Sequence, residues 1–254
     1  MSWDPRQYQR FADQRLRPAR DLLAQVPLDE AREVVDLGCG TGNVTALLKK
    51  RWPQARITGI DQSPEMLARA KSADADIDWV RLDIAAWHPA QPVDLIYSNA
   101  ALQWLPDHRS LLPRLLGQLN AGGMLAVQMP QTGHGHWRQI LRAAVEDRPW
   151  AHELRHLAGP GHVLTQADYH RILARPARTL EIWESEFLHR LEGRDPVAEW
   201  TKGAALRPLL AALSPEEGQV FFEYYRKLIA AAYPPESDGA TLLPFRRLFI
   251  VAAI

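Results

Sequence analysis

Cysteine is almost missing: Cys39 stands alone in 254 residues. That excludes an intramolecular disulfide and any cysteine-rich zinc site, and no other metal-ligand pattern is apparent. Net charge is missing too, because 30 lysines and arginines balance 30 aspartates and glutamates. No bulk field therefore draws the chain to nucleic acid or to an anionic membrane, although a local basic pocket is compatible with that balance. No apolar run approaches the roughly 18 residues of a membrane span. The opening MSWDPRQYQRFADQ lacks the apolar centre of a signal peptide. A cytoplasmic location is the expectation. Internal repeats, low-complexity tracts and long charge blocks are absent as well.

The chain has 46% hydrophobic and 24% charged residues, ordinary for a globular protein and enough for a full core without covalent staples. Residues 1–30 read as one or two helices carrying Trp3, Tyr8, Phe11, Leu16, Leu22 and Leu23. Strand-like runs then alternate with helical ones. Val34–Leu37, Ile57–Asp61, Trp79–Asp83, Val93–Tyr97 and Met124–Met129 are the short apolar strands. Between them, Val44, Leu47 and Leu48 fall at helical spacing, and Ser63-Pro64-Glu65 is a helix start. Leu111 to Leu119 mark a further helix, which Asn120-Ala121-Gly122-Gly123 is expected to end. Such alternation predicts a doubly wound α/β sheet with helices on both faces.

Residues 136–146 read as a helix, and 179–191 and 248–252 as strands. The roughly 55 residues between those strands carry helical patterning and are too long for a simple loop. They are read as a helical cap inserted at the sheet's carboxyl edge, where ligands of such sheets bind. The expected organisation is an N-terminal helical segment (1–30), a core of 31–191 with 245–254, and a cap of 192–244. Trp137, Trp150, Trp183 and Trp200 are expected to pack helices.

The segment that carries chemistry is Asp36-Leu37-Gly38-Cys39-Gly40-Thr41-Gly42. Alternate glycines permit a tight turn and close ligand approach, and the turn leads into a helix N-terminus with free N–H groups. A dinucleotide site favours the G-x-G-x-x-G spacing, whereas here the third glycine comes one position early. Asp36 would also face the pyrophosphate unfavourably. Beside the amino and sulfonium groups of S-adenosylmethionine (SAM), the same carboxylate is favourable.

This motif resembles the glycine-rich turn of class I SAM-dependent methyltransferases, which have a Rossmann-like doubly wound sheet. The resemblance continues in register over residues 30–130. It implies cofactor contacts from Asp36, Gly38, Gly40, Gly42, Asp61, Gln62, Met66, Asp83, Ile84 and Asn99. Within it, Asp61 reads the ribose, Asp83-Ile84 the adenine edge and Ser98-Asn99-Ala100 the methionine moiety. The plainer readings are turn glycines, helix-capping acids and, for Cys39, a small packing residue.

A longer resemblance spans nearly the whole chain. Arg17-Pro18-Ala19, Arg56–Asp61, Leu102–His108, Leu125–Pro130, Leu206-Arg207-Pro208 and Arg247–Ala252 resemble the trans-aconitate 2-methyltransferase family. It implies a monomethyl ester of a tricarboxylate as product. The stretch 131–160, with His134 and His136, departs from the expected pattern. A carboxylate arrives ionised, so no residue is required as an acid or base. The non-reacting carboxylates need partners, and arginine suits them. Arg207, Arg246 and Arg247 are the candidates, with Lys202 second and His134 and His136 weaker. Trp104 and Tyr8 are candidate pocket residues, and the segment of Trp3, Tyr8 and Phe11 is expected to close over the cofactor. A small polycarboxylate is the expected partner, with neither nucleic acid nor membrane, and a monomer or weak dimer as the state. The alternatives are another small or carrier-linked carboxylate, or a SAM-binding protein without turnover.

Overall fold

The structure is a computed structural model. It describes residues 12–131, 133, 135–147, 150–159, 161–203 and 205–254, with the side chains of 12–15 left aside. Seven strands form one sheet in the order β3-β2-β1-β4-β5-β7-β6. They are β1 (Glu33–Leu37), β2 (Arg56–Asp61), β3 (Asp78–Arg81), β4 (Val93–Asn99), β5 (Leu119–Pro130), β6 (Thr179–Leu191) and β7 (Thr241–Ala253). β1 pairs in parallel with β2 and with β4, β2 with β3, and β4 with β5. β7 runs antiparallel to β5. The chain order reverses between β1 and β4, so the carboxyl ends of these strands form the crevice where open α/β sheets bind ligands.

The early helices are α1 (Ala12–Ala24), α2 (Asn43–Arg51), α3 (Pro64–Ala73) and α4 (His108–Leu116). The later ones are α5 (His136–Glu146), α6 (Ala151–Leu154), α7 (Gln166–Leu173), α8 (Pro196–Lys202), α9 (Arg207–Ala212) and α10 (Pro215–Ala232). Their starts follow the local chemistry. Ser63 accepts from the Met66 N–H with Pro64 at the first position, as expected. Ser214 and Glu217 close a reciprocal capping box on α10. No helix among the described residues is long and apolar enough to cross a membrane.

Some element boundaries differ from the expected ones. Asn120–Gly123 does not simply end α4: it lies inside β5, where the β4 pairing jumps from Val93↔Leu119 to Leu95↔Met124. Gly122, at φ 79°, supplies the turn of this bulge. β7 also begins at Thr241, earlier than the apolar run of 248–252 suggested.

Contacts divide the chain into two units. The sheet unit holds Asp13–Pro130, His162–Ser185 and Arg247–Ile254, and the helical unit holds Gln131–Gly161 and Glu186–Arg246. Residues 131–161 thus group with the helices, whereas the sequence reading assigned them to the core. The reason is packing: Trp137, Leu141, Ala144 and Val145 of α5 share one buried cluster with Phe221, Tyr225 and Ile229 of α10. Trp150 meets Phe221 edge-on at 5.3 Å, and Trp200 and Trp137 pack on Phe245. Trp183 packs on a strand, not a helix. It stacks on Phe249 of β7 at 4.9 Å.

Candidate active site

The turn after β1 is built by its glycines. Gly38, Gly40 and Gly42 all have positive φ, at 79°, 56° and 81°. Two of them are packed from below. A Cβ on Gly38 would lie 2.1 Å from the Ala101 Cβ, and one on Gly42 would lie 2.7 Å from the Trp79 ring. At Gly40 a Cβ would meet nothing within 4 Å among the described residues. The turn is therefore packed at both ends and open in the middle, which suits a ligand laid against its backbone.

The acids around it are held by the chain itself. Asp36, at the end of β1, is 1% exposed, and its Oδ2 accepts from the Thr45 hydroxyl at 2.6 Å. Burial pushes its carboxyl up to about 7, the Thr45 bond works against that rise, and the Asp61 charge adds to it. Thr45 was not singled out from sequence; its signal was a hydroxyl on the buried face of the helix behind the turn. Asp61, at the end of β2, accepts from Gly40 N at 3.0 Å and from Ser63 N at 2.8 Å, one bond to each oxygen. It ties the glycine turn to the start of α3, and each oxygen keeps a further lone pair. Asp83 accepts from Ala85 N at 2.8 Å, and the side chain of Ile84 lies over Gly38. Gln62 is exposed and Met66 half-buried on the same α3 entry. Burial, with Asp36 and Asp61 nearby, drives the Cys39 thiol far above the ordinary range. Cys39 is an inert packing residue.

The segment after β4 is anchored separately. Buried His108 donates from Nε2 to the Leu102 carbonyl at 2.8 Å, which leaves Nδ1 to accept from the Tyr169 hydroxyl at 2.6 Å. Burial lowers the histidine's pKa, consistent with this neutral tautomer. The network fixes the 102–104 turn that follows Asn99, the last residue of β4. Asn99 Oδ1 is buried and has no hydrogen-bond partner among the described residues.

The sheet unit brings together every cofactor candidate from the sequence, together with Trp104 and Arg247. Trp104 is 59% exposed, while Arg247 is 4% exposed. The helical unit carries His136, Lys202, Arg207 and Arg246. His136 and Arg207 are exposed, Lys202 sits over the Phe222 ring at 4.2 Å, and exposed Arg246 donates to Glu186 at 3.1 Å. Trp3, Tyr8, Phe11 and His134 lie outside the described residues.

A sheet in this order, with an open glycine turn after β1 and acids ending β1 and β2, is the fold of a class I SAM-dependent methyltransferase. A methyltransferase-domain family model matches residues 34–123. The chain is 48% identical to trans-aconitate 2-methyltransferase of Azoarcus sp. (strain BH72), covering 99% of this chain and 98% of that one. It is 44% identical to the protein of the same name from Methylobacterium radiotolerans, covering 98% and 97%. The fold is similar to that of Haemonchus contortus phosphoethanolamine N-methyltransferase 2 in complex with S-adenosyl-L-methionine, with a TM-score of 0.55, 17% identity and coverage of 93% and 52%. The chain belongs to the trans-aconitate 2-methyltransferase family.

Proposed function

We propose that this protein esterifies one carboxylate of trans-aconitate, giving a monomethyl ester. The reading is carried by the full-length correspondence with relatives of that name, which covers 98–99% of this chain. The shared sequence therefore includes the helical unit as well as the cofactor turn.

When bound, SAM supplies a methyl group on a sulfonium. The glycine turn would receive it at Gly40, with Gly38 and Gly42 shaping the backbone. Asp61 would accept from the ribose hydroxyls beside Gln62 and Met66, Asp83 and Ile84 would border the adenine, and Asn99 would meet the methionine moiety. Asp36 would supply negative charge to the cationic end. An ionised acceptor needs no side chain to remove a proton, so the chain acts by positioning and electrostatics.

Among the arginines, Arg247 best suits a non-reacting carboxylate because it is buried on β7. Its neighbour Arg246 points to the opposite strand face and is engaged by Glu186. Arg207, Trp104 and His136 remain secondary acceptor contacts. The protein is proposed to work in the cytoplasm on a small molecule, without nucleic acid, as a monomer or weak dimer.

The test is labelled SAM with a panel of polycarboxylates and mass spectrometry of the products. A trans-aconitate monoester is expected. Ester formation on other acids with none on trans-aconitate would overturn the assignment. Arg247→Ala should lower kcat/KM by about thirtyfold to several thousandfold, as for truncating a buried charge pair. Its affinity for S-adenosylhomocysteine (SAH) should stay unchanged.

A further inference from the structure

One buried side chain of the sheet unit has an amide that meets no hydrogen-bond partner among the described residues. Gln128, two residues from the end of β5 in the Leu-Ala-Val-Gln-Met run, is 0% exposed. Neither its Oε1 nor its Nε2 has a hydrogen-bond partner among the described residues. Its backbone is held, since its carbonyl accepts from Ala100 N at 2.9 Å. An unmet buried amide is costly, and leucine or methionine would fill the same volume without the penalty.

The register shows what surrounds it. Gln128 pairs with Asn99 of β4 on one side and with Phe249 of β7 on the other. Directly paired residues share a sheet face, so the two amides of Asn99 and Gln128 stand side by side, and Asn99 Oδ1 is also unmet. The neighbours on that face offer no relief. Tyr97, one row back, donates its hydroxyl to the Ala19 carbonyl at 2.6 Å. Phe249 stacks with Trp183 and has no polar atom on its side chain. One row further along β5, Pro130 pairs with buried Arg247, again on the same face because strand side chains alternate with period two. Two amides and a guanidinium therefore share the carboxyl end of one sheet face, next to the switch point between β1 and β4.

We propose that Gln128 is a substrate-positioning residue that donates from Nε2 to the carboxylate receiving the methyl group, while Arg247 holds a neighbouring, non-reacting carboxylate of the same substrate. This rests on the reading of the acceptor as a small polycarboxylate. One carboxylate oxygen is held by the amide N–H, and the other is left free to react. That free oxygen forms the new C–O bond as the methyl–sulfur bond breaks. The electron pair stays on sulfur as a neutral thioether, and no proton moves. A neutral amide suits the reacting carboxylate better than a second arginine, because full ion pairing would weaken the nucleophile.

Gln128→Met keeps the shape and removes the amide, and Gln128→Glu replaces the donor by a charge of the acceptor's own sign. Three quantities are measured in each: melting temperature without ligand, SAH affinity by calorimetry, and trans-aconitate affinity in the SAH complex alongside steady-state turnover. Gln128→Met is expected to melt at or above the wild-type temperature and to bind SAH within about twofold of wild type. Its trans-aconitate affinity and kcat/KM should fall by about tenfold to a hundredfold, the effect of losing a hydrogen bond to a charged group. Gln128→Glu should lose more. Unchanged trans-aconitate affinity in Gln128→Met overturns the proposal. So does a loss confined to SAH binding, which would place the amide on the cofactor side. Failure of the substrate reading looks different: wild type itself then neither binds nor esterifies trans-aconitate, and the role of Gln128 falls with it.

Discussion

The two units bury polarity in different surroundings. In the sheet unit, polar side chains gather towards strand ends: Asp36 ends on Thr45, Asp61 on two backbone N–H groups, and Asn99 and Gln128 keep atoms that are unmet among the described residues. In the helical unit the interior is aromatic, with Trp137, Trp150, Trp200, Phe221, Phe222, Tyr225 and Phe245 in one cluster. Its polar groups are bound mostly to the chain's own carbonyls. Buried Arg138 donates to the Gly159 carbonyl at 2.7 Å, half-buried Arg142 to that of Ala158 at 3.3 Å, and buried Thr201 to those of Val197 and Ala198, while Arg138 Nε and Arg142 Nη2 have no partner among the described residues. Strand ends are where backbone pairing stops and helices begin, so bonding capacity is left over there for a ligand. A helix interior satisfies its own backbone and asks its side chains mainly for shape.

This contrast can be tested by substitution and by titration. The largest effect is expected at Phe221, fully buried in the aromatic cluster. Phe221→Ala should cost about 3–5 kcal/mol of stability, the usual range for an emptied aromatic site. Denaturant unfolding with and without SAH measures it. A variant as stable as wild type would show that the cluster is not a packed core.

Next comes the pair Gly38→Ala and Gly40→Ala. The first forces a Cβ into Ala101 at positive φ, with a cost of about 2–5 kcal/mol from overpacking and left-handed backbone together. The second meets open space and should cost only about 1–2 kcal/mol of backbone strain. It should nonetheless weaken SAH binding beyond that strain, because the open space is the proposed ligand's. Normal SAH affinity in Gly40→Ala would place the cofactor elsewhere.

The smallest effect is a titration. The Asp36 carboxyl is raised from 3.8 to about 7, so the substrate-free protein holds a proton there that the unfolded chain releases. Its contribution to stability is largest at low pH, declines as pH rises from about 4 to about 7, and is flat above. A cation bound nearby favours the ionised form. SAM affinity should therefore rise with pH through about 7, by up to about tenfold per unit below it. Calorimetry at pH 6 and 8 reads this, and Asp36→Asn should flatten it. Equal wild-type affinity at both pH values would remove Asp36 from the cofactor's field.

Legibility followed the range of the interactions. The strand–turn–helix units of residues 33–99 could be read directly, because periodicity, the Ser63-Pro64 start and the glycine turn are set by neighbouring residues. The bulge of Asn120–Gly123 was misread as a plain helix end, since its glycines fit either context and only pairing with β4 selects one. Gln128 went unremarked, though a lone amide inside an apolar strand was a visible signal. What hid its meaning was its pairing with Asn99, about thirty residues away in the chain.

Local sequence set the class of fold, the glycine turn after β1 and the acids at the ends of β1 and β2, because backbone conformation and capping are local. Long-range packing decided that α5 packs with α10, that Arg247 is buried while adjacent Arg246 is exposed, and that Asn99 Oδ1 and the Gln128 amide, without partners among the described residues, fall on one face of the sheet. Those outcomes depend on register and on packing between distant segments. Shifting a strand by one residue would exchange the faces of both arginines without changing a single letter of the chain.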